Sequence, residues 1–268
     1  MIKEYINGSE FIKDNDSFLK TNKYLSLFFY LDAPLLTEID KHNFALKVSS
    51  EKDNEDLLVL SVSKYDMMLF GSEKRVDELA DYLIDNDSEY SGILASEEVG
   101  NAFAKVMKER NVTVSEVIAM DFMEANCITE ASCSEVEVAT INDLQEICEL
   151  LHRFYVDTGL NDELDDAKVA DIIDYFRLIR VNGEIASIAK RSVVNNDDNV
   201  RISYVFTKDK YRGMKYARKV VNTLKNEIIN EGYIATLNVD KKNPISNHLY
   251  SSLGFEKVFS QGVFKVEK

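Results

Sequence analysis

The sequence predicts an α/β protein of two domains, in which strand-like runs alternate with amphipathic helices. Three observations lead to this fold class. Apolar residues recur at helical spacing in segments such as 144–155 and 214–228. Runs rich in β-branched and aromatic residues, such as "NFALKVS" and "RISYVFT", separate the helical segments, as strands do. The alternation is lost from Ala125 to Ser134, so we place a boundary near residue 130 and expect domains of residues 1–130 and 131–268.

The first domain contains three predicted helices and several predicted strands. Apolar spacing indicates helices over Asp16–Leu31, Glu73–Ile84 and Glu97–Lys108. The strands are "NFALKVS", a hairpin within "DLLVLSVSKYDMMLFG", "GILAS" and "TVSEVIAMDFM". The order is that of an α/β domain, and no known motif stands out in it.

The second domain restarts with the strand "EVEVAT" and a helix for which Asn142 is a candidate N-cap, with Gln145 at the capping-box position. A short helix follows over Asp165–Phe176. Asn182-Gly183 then predicts a hairpin, because this dipeptide favours the tight turns of hairpins. A strand to Thr207, a helix from about Gly213, a strand, a helix at Pro244–Leu253 and a last strand give the order β-α-α-β-β-β-α-β-α-β.

Composition and charge exclude several classes of protein. The 268 residues are 45% hydrophobic and 29% charged, which is the balance of a globular protein and not of a disordered chain. The net charge of −15 disfavours a nucleic-acid partner and suits a cationic substrate such as an amine. No apolar run is long enough to span a bilayer, and "MIKEYINGSEF" is no signal peptide, so we expect a cytoplasmic protein without a membrane partner. Cys127, Cys133 and Cys148 lack metal-ligand spacing, so no metal is expected.

The densest cluster of positive charge lies just before a predicted helix. Between Lys208 and Lys219 six basic residues accompany a single acid, Asp209. A helix N-terminus carries partial positive charge, so basic residues there are unfavourable unless an anion is present. A strand, a basic glycine-containing turn and a helix together present backbone N–H groups to a phosphate. The alternative is a basic helix face that is simply solvated.

Two motifs in the second domain carry a family resemblance. "VFTKDKYRGMKYARKVV" resembles the acetyl-CoA loop of the GCN5-related N-acetyltransferases, most closely their FR47-like branch. The family pattern is Arg or Gln, two residues, Gly, one residue, and Gly or Ala. Arg212 takes the first place and Ala217 the last, whereas Lys215 replaces the usual glycine.

The second motif, "VDKKNPISNHLYSSLGF", resembles the closing motif of the same family, in which an Asn opens a helix that carries a Tyr and ends at Gly-Phe. The residues alone agree with a helix. Asn243 is an N-cap, Pro244 occupies the first helical position and Gly254 ends the helix. The predicted buried stripe is Ile245, Leu249 and Leu253. Tyr250 lies beside that stripe, either as a core aromatic or as a catalytic residue.

The resemblance implies a mixed twisted sheet flanked by helices, acetyl-CoA as cosubstrate, and direct attack by the primary amine of a small molecule or peptide. The strand before the loop would splay from its neighbour, its backbone would hold the pantetheine arm, and the loop amides would cradle the pyrophosphate. Tyr250 would be the general acid. The implied cofactor-binding residues are Val205, Phe206, Thr207, Arg212, Gly213, Met214, Lys215, Tyr216, Ala217 and Asn243.

Several questions stay open at this stage. No residue is singled out as the general base, and His42, His152 and His248 are interpreted as surface histidines. The first domain has the element order of the second, so we expect a degenerate copy of the same fold that does not bind acetyl-CoA; the alternative is an unrelated α/β domain. The alternative function is a non-catalytic acyl-CoA-binding or protein-interaction module. A homodimer is possible.

Overall fold

The structure is a computed structural model that describes residues 1–51, 55–63, 65–158, 165–192 and 198–267. Two compact units divide the chain. The first comprises residues 1–122, 240–242 and 259–268, and the second comprises residues 123–239 and 243–258. These units do not test the domain boundary that the sequence places near residue 130, and this boundary stays a prediction. Within the described residues, no helix is both long and apolar enough to cross a membrane.

The first half of the chain follows the predicted order from Phe44 onwards, but before that point a strand at Ile2–Glu4 and a helix start at Gly8 were not predicted. The predicted helix at Asp16–Leu31 is two helices, because Asn22 caps a new helix by accepting hydrogen bonds from the backbone of Tyr24 and Leu25. The strands are β1 (Ile2–Glu4), β2 (Phe44–Val48), β3 (Leu57–Ser61), β4 (Met67–Gly71), β5 (Gly92–Ser96) and β6 (Thr113–Ala125). The α-helices are α1 (Gly8–Leu19), α2 (Lys23–Asp32), α3 (Val76–Asp85) and α4 (Glu97–Glu109).

The second half also has the predicted order. Its strands are β7 (Val136–Val138), β8 (Phe176–Val181), β9 (Glu184–Arg191), β10 (Asn199–Thr207), β11 (Ile234–Asp240) and β12 (Glu256–Glu267). Its α-helices are α5 (Leu144–Thr158), α6 (Asp166–Asp171), α7 (Tyr216–Asn230) and α8 (Pro244–Ser252). Asn182 and Gly183 have φ values of 52° and 86°, which is the left-handed geometry of the predicted β8–β9 turn.

Two predicted helix starts in this half are wrong by a few residues. The N-cap before α5 is Thr140 instead of Asn142, because Asp143 accepts hydrogen bonds from both the backbone and the hydroxyl of Thr140. The basic helix α7 starts at Tyr216 instead of near Gly213. In both cases the spacing of apolar residues identified the helix, whereas local hydrogen bonds and backbone angles decide its first residue.

The two halves share one topology. Each has the order β-α-α-β-β-β-α-β-α-β. In the first unit the strand order is β1-β2-β3-β4-β5-β12-β6, with antiparallel pairing up to β4 and parallel pairing of β4 with β5. In the second unit the order is β11-β10-β9-β8-β7, with β10 parallel to β11 and the remaining pairs antiparallel. The α/β fold class is confirmed, and this match supports the idea of a duplicated fold.

Helices cover both faces of the sheet in the second unit. Val220, Val221 and Leu224 of α7 are fully buried in one core, together with Leu253, which follows α8. Ile147 and Leu151 of α5 belong to a separate core that also contains Phe176 and Ile188 from β8 and β9. We call these two sides of the sheet the α7 face and the α5 face.

Buried polar side chains of α7 hold the segment from Ala125 to Ser134, in which the alternation of strand-like and helical runs is lost. The Lys225 side chain is fully buried, and its ammonium donates to the Leu253 carbonyl at 2.7 Å and to the Thr129 hydroxyl at 2.8 Å. Asn226, one residue further on, donates to the Glu130 carbonyl at 2.8 Å. A buried polar group without a hydrogen-bond partner is unfavourable, so moving this segment away from α7 would be costly. The hydrogen bonds therefore hold in place a stretch that has no regular secondary structure.

We therefore expect Lys225→Met to destabilise the protein by about 1–3 kcal/mol, because it removes the two buried hydrogen bonds that the Lys225 ammonium donates while keeping a side chain of similar length. Lys219→Met is the matched control on the same helix. Lys219 pairs with Glu135 while partly exposed to solvent, and loss of such a pair costs less than about 1 kcal/mol. Urea unfolding measures both changes. Equal losses in the two variants would contradict the role assigned to Lys225.

Candidate functional site

The strands β10 and β11 separate to form a fork. Their parallel pairing covers Asn199 to Arg201 and ends where Arg201 faces Thr236. Both strands are fully described beyond this point, β10 to Thr207 and β11 to Asp240. Backbone groups on the inner edges of the fork are therefore free of strand–strand pairing, as the family resemblance implies for the strand before the basic loop.

A bulge in β10 accompanies the fork. Ser203 faces Lys190 of β9, and Phe206 faces Ile188, so three steps along β10 match two steps along β9. Tyr204, inside this interval, has a φ of 51°, which is uncommon for a residue other than glycine. The extra residue reverses the alternation: Val200 and Ile202 pack on the α7 face, whereas Tyr204 and Phe206 pack on the α5 face.

The backbone direction beyond the bulge can be deduced from one hydrogen bond. The Lys208 N–H donates to the Ala186 carbonyl of β9 at 3.0 Å. Because N–H and C=O groups alternate sides along a strand, Val205 and Thr207 direct theirs away from β9 and into the fork. Phe206 faces β9, where its carbonyl accepts a bond from the Ser187 hydroxyl at 3.0 Å. The family resemblance implies three cofactor-binding residues on β10. The main-chain groups of Val205 and Thr207 face the fork, whereas those of Phe206 face β9.

The loop between β10 and α7 leads directly into the helix N-terminus. Gly213 has a φ of 79° and Lys215 a φ of 66°. Glycine, which the family pattern has at this place, adopts the left-handed angle of Lys215 freely, whereas a side chain makes this conformation unfavourable by about 1–2 kcal/mol. The Lys219 N–H makes a hydrogen bond to the Lys215 carbonyl, so the N–H groups of Tyr216 and Ala217 precede the helical ladder and can donate to a ligand.

Most cations of this loop are already paired with carboxylates of the protein. Lys208 contacts Glu146 and Glu184, Lys210 contacts Glu184, Arg212 contacts Asp157 and Asp209, Arg218 contacts Glu130, and Lys219 contacts Glu135. Lys215 differs: in the described part of the chain it has no carboxylate partner, and its side chain is exposed. The positive charge that the sequence concentrates here is thus largely neutralised, and Lys215 is the lysine of the group left to meet an anion.

Arg212 bends back over the end of β10. Its guanidinium donates to the Thr207 carbonyl at 3.2 Å and to Asp157 at 2.7 Å, and lies 5.6 Å from the centre of the Phe206 ring. Arg153 of α5 lies at 6.0 Å from the same ring and donates to Asp209. Arg212 therefore covers one of the carbonyls that faces the fork, and a ligand in the fork would have to compete for it.

Glu184 organises the start of the loop. Its carboxylate accepts hydrogen bonds from Tyr211 and pairs with Lys210 and Lys208. The hydrogen bond from Lys210, followed by that from Tyr211, lowers the pKa of Glu184 to about 2. The carboxylate is consequently charged at neutral pH, and its contacts connect the loop to the β8–β9 hairpin.

Helix α8 places Tyr250 in the core of the α7 face. Asn243 caps this helix, accepting from the Ser246 N–H at 3.0 Å, and Pro244 is its first residue, as predicted. The prediction that Ile245 is buried is wrong, because its side chain is 81% exposed. Tyr250 itself is buried, with its ring 6.1 Å from that of Phe255. Burial raises the pKa of Tyr250 to about 12, against the opposing effect of a hydrogen bond with Ser246.

The structure brings part of the predicted residue set together. Val205 and Tyr216 pack against the same core as Tyr250, whereas Phe206 packs on the opposite face. Met214 was predicted to belong to the apolar stripe of α7, but it precedes the helix and is 55% exposed. His152 and His248 are exposed, as expected for surface histidines.

The sequence did not reveal the residues on the α5 face of the fork. Lys190, Arg201 and Tyr204 lie there, and Tyr155 of α5 shares a hydrogen bond with Tyr204, the two hydroxyls being 3.1 Å apart. One signal was available. "SYVF" in β10 lacks the strict alternation of a half-buried strand, because Val205 is apolar between two aromatic residues, and broken alternation can mark a bulge.

The corresponding region of the first unit is built differently. There the strand β4 ends at Gly71, Ser72 caps the following turn by accepting from the Lys74 N–H, and α3 begins at Val76. The first turn of α3 carries the acids Asp77 and Glu78, whereas the first turn of α7 carries no acid. Acidic side chains at a helix N-terminus stabilise the helix but repel phosphate.

The second unit thus combines a forked parallel strand pair, a bulge, and a loop of free amides that opens a helix. Residues 183–263 match the family model described as "FR47-like protein". This match confirms the resemblance of the C-terminal half to the GCN5-related N-acetyltransferases. At the level of the family, it supports an acetyltransferase.

Solved structures of low sequence identity share the fold over most or all of this chain. An acetyltransferase of the GNAT family from Colwellia psychrerythraea is 10% identical, with 100% of each chain covered and a TM-score of 0.66. A GCN5-related N-acetyltransferase from Sphaerobacter thermophilus is 13% identical, with 84% of this chain and 81% of that chain covered and a TM-score of 0.55. A Drosophila protein is 14% identical, with 99% and 98% covered and a TM-score of 0.55. No curated protein matches the sequence significantly.

The low pKa of Glu184 gives a prediction for acid stability. A carboxylate whose pKa is lower in the folded than in the unfolded protein stabilises the fold above the ordinary value of 4.5, and this contribution is lost as the pH falls towards about 2. We expect Glu184→Gln to be less stable than the parent above pH 4.5 and to approach it near pH 2. Urea unfolding at a series of pH values measures the difference.

Glu149→Gln is the control for that experiment. Glu149 is exposed on α5 and, in the described chain, accepts its hydrogen bond from the neutral side chain of Gln145. Its removal should leave the pH dependence unchanged. A stability difference between Glu184→Gln and the parent that does not vary with pH would refute the assigned role of the Glu184 charge.

Proposed function

We propose that the protein transfers an acetyl group from acetyl-CoA to a primary amine of a small molecule or peptide, by direct attack within a ternary complex. The observation that carries the proposal is the fork between β10 and β11, which opens beside the free amides at the start of α7. A thioester arm needs exposed main-chain donors and acceptors, and a pyrophosphate needs amides at a helix N-terminus. In the second unit, the unpaired main chain at the end of β10 and the amides at the start of α7 are close to each other in sequence.

The cofactor contacts follow from this arrangement. Val205 and Thr207 direct their main-chain groups into the fork, where they would pair with the amides of the pantetheine arm. Gly213, Tyr216 and Ala217 would donate N–H groups to the pyrophosphate. Arg212 would leave the Thr207 carbonyl and move to the phosphates, because a phosphate competes well with exposed carboxylates for a guanidinium. Asn243 would contact the arm from the start of α8.

The reaction needs a neutral amine, stabilisation of an oxyanion and a proton at sulfur. The amine nitrogen attacks the thioester carbon, the carbon–sulfur bond breaks, and the proton that nitrogen loses balances the one that sulfur gains. A main-chain N–H beside the bulge would polarise the carbonyl. Tyr250, with a pKa near 12, stays protonated at neutral pH, so its hydroxyl can donate a hydrogen bond to the departing sulfur.

The phenol acts mainly through that hydrogen bond. An ordinary thiol has a pKa of about 8.5, so full transfer of a proton from a phenol of higher pKa to a thiolate is uphill. Stabilising the negative charge as it develops on sulfur requires no complete transfer. The final proton can therefore come from the amine, by way of solvent or a base.

Calorimetric titration with acetyl-CoA at two salt concentrations, followed by an assay of thiol release with a panel of amines, tests the proposal. One-site binding that weakens with salt, together with amine-dependent thiol release, is the expected result. Binding without transfer to any amine would favour a non-catalytic acyl-CoA-binding module. Absence of binding would refute both functions.

We expect Lys215→Gln to weaken acetyl-CoA binding about tenfold, which corresponds to one charge-assisted hydrogen bond, and to reduce its salt dependence. The reason is that Lys215 is the cation of the loop without a carboxylate partner in the described residues. Lys210→Gln is the control, because Lys210 already pairs with Glu184. Calorimetry measures both. If Lys215→Gln binds as tightly as the parent, the loop acts through its backbone alone.

We expect Tyr250→Phe to keep its affinity for acetyl-CoA while losing turnover by about 100-fold, in line with the usual contribution of one hydrogen-bond donor to a charge that develops in the transition state. The substitution keeps the ring that packs against Phe255. Thermal unfolding is the control, since it shows whether the core is intact. Unchanged turnover in a folded variant would exclude Tyr250 from the reaction.

A further inference from the structure

Two cations lie at the base of the fork, on the α5 face of the sheet. Arg201 is the last residue of β10 that pairs with β11, so it marks the closed end of the fork. Its neighbours Val200 and Ile202 are buried on the α7 face, which by alternation places the Arg201 side chain on the α5 face. Lys190 of β9 faces Ser203, next to the bulge. Its neighbour Ala189 is buried on the α7 face, so the Lys190 side chain also lies on the α5 face.

These two cations lack a carboxylate partner in the described residues, whereas most cations of the second unit have one. In the described chain, neither Lys190 nor Arg201 forms an ion pair, although the protein carries a net charge of −15. Partial burial lowers the pKa of Lys190, and the positive charge of Arg201 lowers it further. Like charges placed side by side in an acidic protein are unfavourable unless an anion joins them.

Aromatic side chains line the same place. The Lys190 ammonium lies 5.6 Å from the centre of the Tyr204 ring. Tyr204 packs edge-to-face against Phe154 at 5.5 Å and shares its hydroxyl hydrogen bond with Tyr155. Tyr204 directly precedes Val205, whose main chain faces the fork. A molecule held between the two cations and these rings would thus lie beside the predicted position of the thioester.

We propose that Lys190 and Arg201 bind an anionic group of the acceptor, so that the substrate is an amine that also carries a carboxylate or a phosphate. This inference rests on the proposed acetyl transfer and narrows its substrate class. A bidentate guanidinium and a nearby ammonium match either anion. The anion would anchor the acceptor on the α5 face, while its amine reaches across the bulge towards the fork. The acidic surface of the protein would then attract the amine end, and the two cations would select the anionic end.

Pairs of probes that differ in one anionic group test the proposal. L-Phenylalanine is compared with L-phenylalaninamide, and phosphoethanolamine with ethanolamine, which separates the carboxylate from the phosphate. Two readouts are used on the intact protein: thiol release from acetyl-CoA, and direct binding of each probe followed by NMR shifts of the protein without acetyl-CoA. We expect at least a tenfold higher kcat/KM for the anionic member of one pair, mainly through KM.

Variants connect the preference to the two residues. Lys190→Gln and Arg201→Gln should each reduce the preference for the anionic probe to less than about threefold while leaving the affinity for acetyl-CoA unchanged. Lys190→Arg should keep the preference for the anionic probe, because it keeps the positive charge at this position. Lys168→Gln is the control of equal charge. Its cation is 83% exposed on α6 and already pairs with Asp165.

The outcomes separate this inference from the proposed function. Equal use of both members of each pair, or a preference that survives in Lys190→Gln and Arg201→Gln, overturns the anion site while acetyl transfer stands. If no amine is acetylated, the binding readout decides: shifts with an anionic probe that disappear in the two variants support the site, and their absence overturns it. Failure to bind acetyl-CoA refutes acetyl transfer without affecting that readout.

Discussion

The bulge at Tyr204 is the local constraint on which the candidate site depends. One extra residue in β10 turns the following side chains to the opposite faces of the sheet, so that Phe206 packs on the α5 face and Val205 on the α7 face. Without it, Val205 and Thr207 would direct their main-chain groups differently, and Lys208 could not make its hydrogen bond to Ala186. The strand that would otherwise pair along β11 instead leaves it at Arg201, and this opens the fork.

The neutralisation of charge within the loop changes how its basic residues are understood. Their sequence density indicates attraction of an anion, but in the fold most of them hold the loop in place: Lys208 and Lys210 bind Glu184, and Arg218 binds Glu130. Exposed pairs of this kind contribute little stability one by one. Together they hold the turn in the conformation in which its amides converge. Without these contacts, a loop with a lysine in the left-handed region would not keep that conformation.

The parts that the sequence could predict are those that local rules decide. Asn243, Pro244 and Gly254 mark the ends of α8 through capping and backbone preferences that act over a few residues, and the structure has them in those places. The burial of Ile245 was wrongly predicted, because helical spacing defines a face without saying how far a neighbouring element covers it. The bulge, the carboxylate partners of the loop and the pairing of Lys225 with Leu253 depend on residues distant in sequence.

The comparison of the two halves shows how one topology can keep or lose a phosphate site. Both halves place a helix after the strand that pairs in parallel with the next, as α7 does after β10 and α3 after β4. In α3 the first turn carries Asp77 and Glu78, and Ser72 already caps the preceding turn, so the helix satisfies its own N-terminus. In α7 the side chain of Lys215 caps nothing, and no acid follows. A helix N-terminus left without a side-chain cap is unfavourable by about 1 kcal/mol. A bound phosphate would remove that cost, which is a physical reason for the second half to retain an anion site that the first half lacks.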